Sequence, residues 1–479
     1  MNRLNPLRPS SFFGGLSLLL LGHLLLQLIA SFTLPLSYDE GLNLLVRRFM
    51  QLGYEPYQEV PTVAWPLFTG WLNLLNDIPI GGLRLLFLPF SLLLLFSTGL
   101  LARDLAGSPA ALAAVFLLAT APTFLSEAGL ILDVVPGLSL ALLAGLLAQR
   151  SAAGGRVYWL LFSGLLWGGS LLGSIQTLAV APLILMLLVS SPAPQPRRWL
   201  AAGLWLAAAV AALILGYSLA GPAIKAMLAR QQMLHQNLAV DLVLNFRVIG
   251  QFLGFNLWLT LLAMIGLAYL VDQPRHRLWL VAIWGLLSFA WLMVQLSPRL
   301  IDAASLLPPL AIIGGWGLGQ VGQQLQRLLG PVRWGPSGLL WSGLVIVFLG
   351  VNWTRFNAYY LREVDNQDSL TQLEAQPALA EFIDQNTPAE ECVIIDDPAL
   401  AVLADRLPLP QLAGLSSQWL AGGLLTDREL AQMIAEGGCR AIVFSNRDYH
   451  LSFAEAFNSW IITNYPHQRV FLRTRIYQQ

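Results

Sequence analysis

About eleven stretches of roughly 20 mostly apolar residues fill most of residues 1–352, and a run of that length is what a helix needs to cross a bilayer. They lie near 12–34, 83–101, 108–126, 134–149, 157–172, 175–190, 199–220, 251–271, 278–296, 303–319 and 335–352. Backbone in hydrocarbon must satisfy its own hydrogen bonds, so such runs specify helices. Only 11% of the 479 residues are charged, against about 25% in a soluble globular chain. The sequence therefore specifies a polytopic α-helical membrane protein, with membrane lipid as its surroundings. Its 27 basic residues balance 27 acidic ones, which leaves no basic excess to neutralise phosphates and argues against a nucleic-acid partner.

The first stretch follows Arg3 and Arg8 and runs from about Phe12 to Leu34. It is too long for a signal-peptide core and reads as a retained first helix. The pair at 157–190 can be one long tilted helix or two short ones broken near Gly168, Gly169, Gly173 and Ser174. Cytoplasmic loops carry an excess of Arg and Lys. With the N-terminus inside, the inner connections hold Arg103, Arg150 with Arg156, Arg197 with Arg198, Arg275 with Arg277, and Arg327 with Arg333. The opposite loops hold Asp39, Glu40, Glu55, Glu59, Asp77, Glu127, Asp133 and Asp241, mixed with a few basic residues. This alternation favours two passes in 157–190 and places the C-terminal region outside the cell membrane.

The composition changes after about Trp353, dividing the chain into a membrane domain, 1–352, and an extracytoplasmic α/β domain, 353–479. Val393 to Ile395, Ala441 to Phe444 and Arg469 to Tyr477 read as strands. Thr426 and Glu429 form a capping box for a helix that Gly437 and Gly438 would end. No Gly-rich phosphate fingerprint follows either of the first two strands, and no nucleotide or other cofactor is implied. The two cysteines, Cys392 and Cys439, are too few for a disulfide scaffold, a Cys-rich zinc site or an iron–sulfur cluster. If their strands are parallel neighbours they fall at one end of the sheet, roughly 5 Å apart. One residue of register would point a side chain to the other face, so a disulfide and two buried thiols both remain open.

Two outer loops, about 36–82 and 221–250, are long, and long loops usually carry function. In the first, Asp39 and Glu40 follow the first membrane stretch directly. Leu42, Leu45, Phe49 and Leu52 then recur at helical spacing, up to Gly53 as a C-cap, which reads as an amphipathic helix at the membrane surface. Ser37 and Glu40 also fit a capping box, which accounts for Glu40 better than for Asp39. Asp133 stands between two apolar stretches, where an ionisable group is costly. Arg84 and Arg299 sit at outer ends of membrane stretches, and Lys225, the only lysine, lies in the second long loop. Carboxylates and cations gathered at one face suit group transfer from a lipid phosphate. Arg matches phosphate through paired donors, and a carboxylate can take the proton of an acceptor hydroxyl. No metal is demanded, since the cations can neutralise the phosphate. The alternative is a polytopic transporter or lipid-linked-sugar flippase, which would more often show internal repeats and midplane ions.

Tyr38-Asp39-Glu40, Gly53-Tyr54-Glu55-Pro56-Tyr57 and Trp65-Pro66-Leu67 leading to Trp71-Leu72 resemble the first outer loop of GT-C membrane glycosyltransferases. More narrowly they resemble the protein-O-mannosyltransferase and aminoarabinose-transferase group, glycosyltransferase family 39. Leu83-Arg84-Leu85-Leu86, Ala121-Pro122-Thr123-Phe124 ahead of Asp133, and Ser297-Pro298-Arg299 ahead of Leu307-Pro308-Pro309 resemble that group's later motifs. The resemblance implies a GT-C fold, a polyprenyl-phosphate sugar donor and an outward-facing site. It implies catalytic roles for Asp39, Glu40 and Asp133, and donor-phosphate contacts from Arg84 and Arg299, which Lys225 could join. The acceptor would be a lipid, glycan or protein hydroxyl. Ala64-Trp65-Pro66 replaces a frequent double proline, and Arg299-Leu300 an Arg-Tyr or His-Tyr. Both departures bear on the sugar and acceptor rather than on the class of chemistry.

Overall fold

The computed structural model describes residues 9–62, 64–75, 78–154, 156–191, 194–273, 276–296, 298–329, 350, 352, 354, 369–387, 392–413, 425–444, 455–471 and 474–479. Nearly all of the eleventh stretch, 335–352, lies outside the described residues, as do Trp353, Asp77 and Ser297. The chain forms two compact units. One comprises Met1–Thr33, Ile78–Gly216 and Val240–Tyr359, and the other Leu34–Asp77, Tyr217–Ala239 and Tyr360–Gln479.

The first unit is helical and apolar. Five described helices are long and apolar enough to cross a membrane: Ser10–Thr33, Ile80–Ala106, Val134–Ala152, Gln195–Asn237 and Leu300–Gln324. Shorter apolar helices cover Ser108–Ala119, Val157–Gly173, Ile175–Val189 and Arg277–Met293. The 157–190 stretch breaks at Ser174, which is extended (φ −159°, ψ 128°) between Gly173 and a 3-10 turn over Ile175–Val180. The 251–271 stretch is not one straight helix. Leu242–Phe255 and Leu257–Asp272 meet at 96°. Asn256 makes the break possible, because its buried amide reaches Thr123 Oγ1 at 2.9 Å and the Phe252 carbonyl at 2.9 Å. The 221–250 stretch also differs from the expected loop. Helix resumes beyond a kink at Ala220, ahead of Pro222, and runs to Asn237. The next helix opens at Asp241, whose carboxylate caps Val243 and Leu244 N–H at 3.0 Å each. Its polar residues, scattered among alternating apolar ones, hid that periodicity.

Small residues let these helices approach closely, as in other membrane bundles. A Cβ on Gly315 would stand 2.5 Å from the Ala110 carbonyl oxygen, and one on Gly266 2.2 Å from that of Ile313. Leu18, Leu25, Ile29 and Phe32 of the first helix stay exposed, while His23, Gln27 and Ser31 turn inward. Such an apolar exterior is a lipid-facing one.

The second unit contains a four-stranded sheet of order β1-β2-β4-β3: β1 Val393–Ile395, β2 Ala441–Phe444, β3 His467–Phe471 and β4 Thr474–Gln478. β1 and β2 pair in parallel, and β4 pairs antiparallel to β2 and β3. The strand expected over 469–477 is thus a hairpin. Without a Gly or Asn-Gly signal, a continuous β pattern does not show where one strand ends and the next begins. Val393 and Ile395 pack with Ile383 and Leu400 on one face, and Ile394 and Ile442 with Leu430, Ile434 and Phe457 on the other. The Asp427–Glu436 helix begins with the expected box, Thr426 N–H to Glu429 Oε2 at 2.8 Å. Cys392 and Cys439 form a disulfide, their Cα atoms 4.3 Å apart at one end of the β1–β2 pair.

The Tyr38–Gln51 helix belongs to this unit, and it is not a surface helix. Leu42, Leu45, Val46 and Phe49 are buried against Val60, Val402, Leu407 and Ala413. The amphipathic face it presents fits protein as well as lipid, and spacing alone does not distinguish them. Gly53 ends it with φ 93°, as a C-cap glycine does.

Candidate functional site

In the membrane unit the structure gathers Asp133, Arg299 and Asp302. Asp133 is the residue just ahead of the Val134–Ala152 span, held there by the apolar Leu130–Leu132 segment before it and by Val134 and Val135 after it. Arg299 precedes the 3-10 turn Leu300–Leu306, and Asp302 lies within that turn. Asp302 is 6% exposed. Its carboxylate accepts from the Arg299 backbone N–H at 2.8 Å, from Nε at 3.4 Å and from Nη2 at 3.3 Å. Asp302 therefore caps the turn and fixes the guanidinium together. Burial pushes the Asp133 carboxyl up to about 6, opposed by the positive charge of Arg299 and reinforced by the negative charge of Asp302, with Ser174 also facing it. Asp302 thus holds the guanidinium directly, while Asp133 lies within reach of its charge and faces the Ser174 break.

The approach to Arg299 is rigidly held. Gln176 Oε1 accepts from Trp291 Nε1 at 3.1 Å and from Gln295 Nε2 at 3.0 Å. Asn245 Nδ2 donates to the Met293 and Gln295 carbonyls at 3.0 and 2.7 Å. The chain just past the end of the preceding helix is therefore pinned from two sides at Gln295, four residues before Arg299. Arg84, also in this unit, is 3% exposed on the Ile80–Ala106 helix and donates to the Ser31 carbonyl at 3.2 Å. A buried cation of that kind in an apolar helix is costly and calls for a function or a strong partner set.

Asp39, Glu40 and Lys225 lie in the second unit. Glu40 is fully buried and closes the capping box with Ser37, accepting from its N–H at 3.3 Å while Ser37 Oγ accepts from Glu40 N–H at 3.2 Å. Asp39 occupies the same first turn and is half-buried, its carboxylate favoured by the helix dipole. Lys225 is exposed, with its ammonium 5.9 Å from the Tyr217 ring centre.

The sequence reading missed Asp302 and Gln176. Arg299-x-x-Asp302 has capping-box spacing, which is a local sequence signal for Asp302. Gln176 gives no local signal, because its partners are more than a hundred residues away.

No protein family and no curated protein matches the chain by sequence. Solved structures do match it by shape. ArnT from Cupriavidus metallidurans, crystallised with undecaprenyl phosphate, superposes with a TM-score of 0.64 at 15% identity, over 97% of this chain and 98% of that one. The archaeal oligosaccharyltransferase AglB from Archaeoglobus fulgidus, in complex with an inhibitory peptide and a dolichol-phosphate, gives 0.50 at 12% identity, over 88% and 69%. At such identities the likeness carries architecture. The chain has the GT-C membrane fold that its outer-loop motifs resemble.

Proposed function

We propose that this protein is a glycosyltransferase that moves one sugar from a polyprenyl-phosphate donor to the hydroxyl of a lipid, glycan or protein acceptor. The observation that carries the reading is the likeness, over nearly the full length of both chains, to a structure that holds undecaprenyl phosphate. In this reading the acceptor oxygen attacks the anomeric carbon opposite the phosphate. The new C–O bond forms as the bond to phosphate breaks, the electron pair leaves with the phosphate, and configuration inverts. Asp39 takes the hydroxyl proton, with Asp133 as the second acidic group and Glu40 holding the Asp39 turn. Arg84 and Arg299 stabilise the departing phosphate, with Lys225 as a further contact. Whether the sugar is a hexose or a pentose is decided by pocket shape.

The membrane domain is assigned to 1–352 and the extracytoplasmic domain to 353–479, with the N-terminus cytoplasmic. Basic inner connections support that orientation, and so does a disulfide, which persists in an oxidising compartment. Lipid extracts of cells lacking the protein test the function. Accumulation of one polyprenyl-phosphate sugar, cleared by the wild-type chain but not by Arg84→Ala, is expected. An unchanged profile of lipid-linked sugars contradicts it.

A further inference from the structure

The Gly53–Tyr57 motif leads into a turn that the proposed chemistry does not use. Tyr57 is not a glycine, yet it has φ 71°. Its ring is buried, and its hydroxyl donates to the Ala64 carbonyl at 2.7 Å and lies 2.8 Å from Thr69 Oγ1. Its N–H reaches the Val60 carbonyl at 2.8 Å. A left-handed residue of this size persists only where its surroundings over-determine it, and such residues cluster at binding sites. Here the strained residue projects the next two, Gln58 and Glu59, into a cavity of about 120 Å³.

Three separate parts of the second unit wall that cavity. Gln58, Glu59 and Pro61 come from the turn, Arg230 from the helix beyond the Ala220 kink, and Gln411, Leu425 and Met433 from the C-terminal region. Arg230 Nη2 donates to the Gln58 carbonyl at 3.2 Å, tying its guanidinium to the rim, and Glu59 Oε2 accepts from Glu55 N–H at 2.7 Å. The four polar side chains offer donors and acceptors, with Gln58, Glu59 and Gln411 exposed at the rim and Arg230 half-buried. Arg230 and Glu59 cancel in charge, which disfavours a free anion. Pro61, Leu425 and Met433 supply an apolar side. An enclosed cavity of about 150 Å³ takes one benzene ring, so a space of about 120 Å³ that opens to the outside seats one edge of a single sugar ring.

We propose that this cavity is a binding site for a single neutral sugar ring, its vicinal hydroxyls held by Arg230, Glu59, Gln58 and Gln411 and its C–H face on Leu425 and Met433. It deepens the glycosyltransferase reading by serving as the site that holds a sugar of a glycan acceptor. Binding without turnover separates the two: loss of transfer leaves this site intact, and loss of this site leaves the donor chemistry in place.

The test uses the full chain in lipid nanodiscs and saturation-transfer NMR with methyl glycosides of glucose, mannose, galactose and arabinose, and with inorganic phosphate. At least one glycoside is expected to bind in the millimolar range, at least tenfold more weakly in Arg230→Met and in Gln411→Ala. Leu425→Trp, which fills the cavity, should abolish it, with folding checked by unchanged melting of the protein. No binding by any glycoside, binding unaltered in both polar variants, or phosphate binding that outcompetes the glycosides and depends on Arg230 would each overturn the proposal.

Discussion

Replacing both Cys392 and Cys439 by alanine should destabilise the second unit by an amount that follows from its topology. The two half-cystines are 47 residues apart in sequence. In the chain-entropy view, closing a loop of that length removes about 13.6 cal/mol/K from the unfolded ensemble, or about 4 kcal/mol at 25 °C. Alanine suits Cys439 because that side chain is fully buried beside Ile434 and Phe457, where serine would add an unpaired hydroxyl. The same bridge joins β1 to β2, the only parallel pair among the described strands, so its loss falls on the pairing with the longest loop to close. For a region of this size the melting transition should fall by on the order of 15 °C. Thermal unfolding of the full chain in detergent, followed by limited proteolysis of the outer region, reads the shift. Alkylation of the denatured, unreduced protein supplies the covalent check. Two reactive thiols without reductant, or a transition within about 2 °C of wild type, would refute this reasoning, and with the first the support from redox compartment for an external C-terminus would fall.

Asp302→Asn keeps the cap on Arg299 N–H but removes the charge that holds its guanidinium. A charge-assisted bond is worth about 1.5–3 kcal/mol, so kcat/KM for the donor should fall roughly tenfold to a hundredfold with little change in melting; near-normal kcat/KM would show that Arg299 is held otherwise. If ionised Asp133 serves transfer, activity should decline as pH falls through about 6, because burial has raised that carboxyl and protonation removes its charge. Arg299 lowers and Asp302 raises its proton affinity, so Arg299→Met should move the midpoint up and Asp302→Asn down; a profile flat from pH 5 to 7 contradicts the assignment. Gly41→Ala would place a Cβ 2.3 Å from the Ala399 nitrogen, pushing the Tyr38–Gln51 and Pro398–Leu403 helices apart. A loss of about 1–3 kcal/mol is expected, and an unshifted melting curve would refute that contact.

Much of the fold was legible because its strongest signals are local. Long apolar runs named the membrane helices, Ser37-x-x-Glu40 and Thr426-x-x-Glu429 named two helix starts, and short continuous apolar runs named the buried strands β1 and β2. The 96° bend at Asn256 was not legible, since it depends on Thr123, 133 residues away. The amphipathic face after Glu40 was read for lipid and met protein, because hydrophobic spacing states that a face is buried but not against what. The site divides in the same way. Asp133 and Arg299 stood out as charges among apolar residues, whereas Asp302 hid in a turn and Arg230 on a helix read as loop. Glu40, taken as part of the chemistry, is engaged in its own helix cap.

Transfer by the purified chain tests the central claim most directly. Liposomes holding the protein and a polyprenyl-phosphate sugar bearing a labelled anomeric carbon are given the lipid acceptors of the native membrane, and product is read by mass spectrometry and carbon NMR. The account predicts a glycoside of inverted configuration and stoichiometric polyprenyl phosphate, with rates reduced on the order of 10²–10³-fold in Arg84→Ala and abolished in Asp39→Asn. Retained configuration, or equal turnover by wild type and both variants, would contradict it.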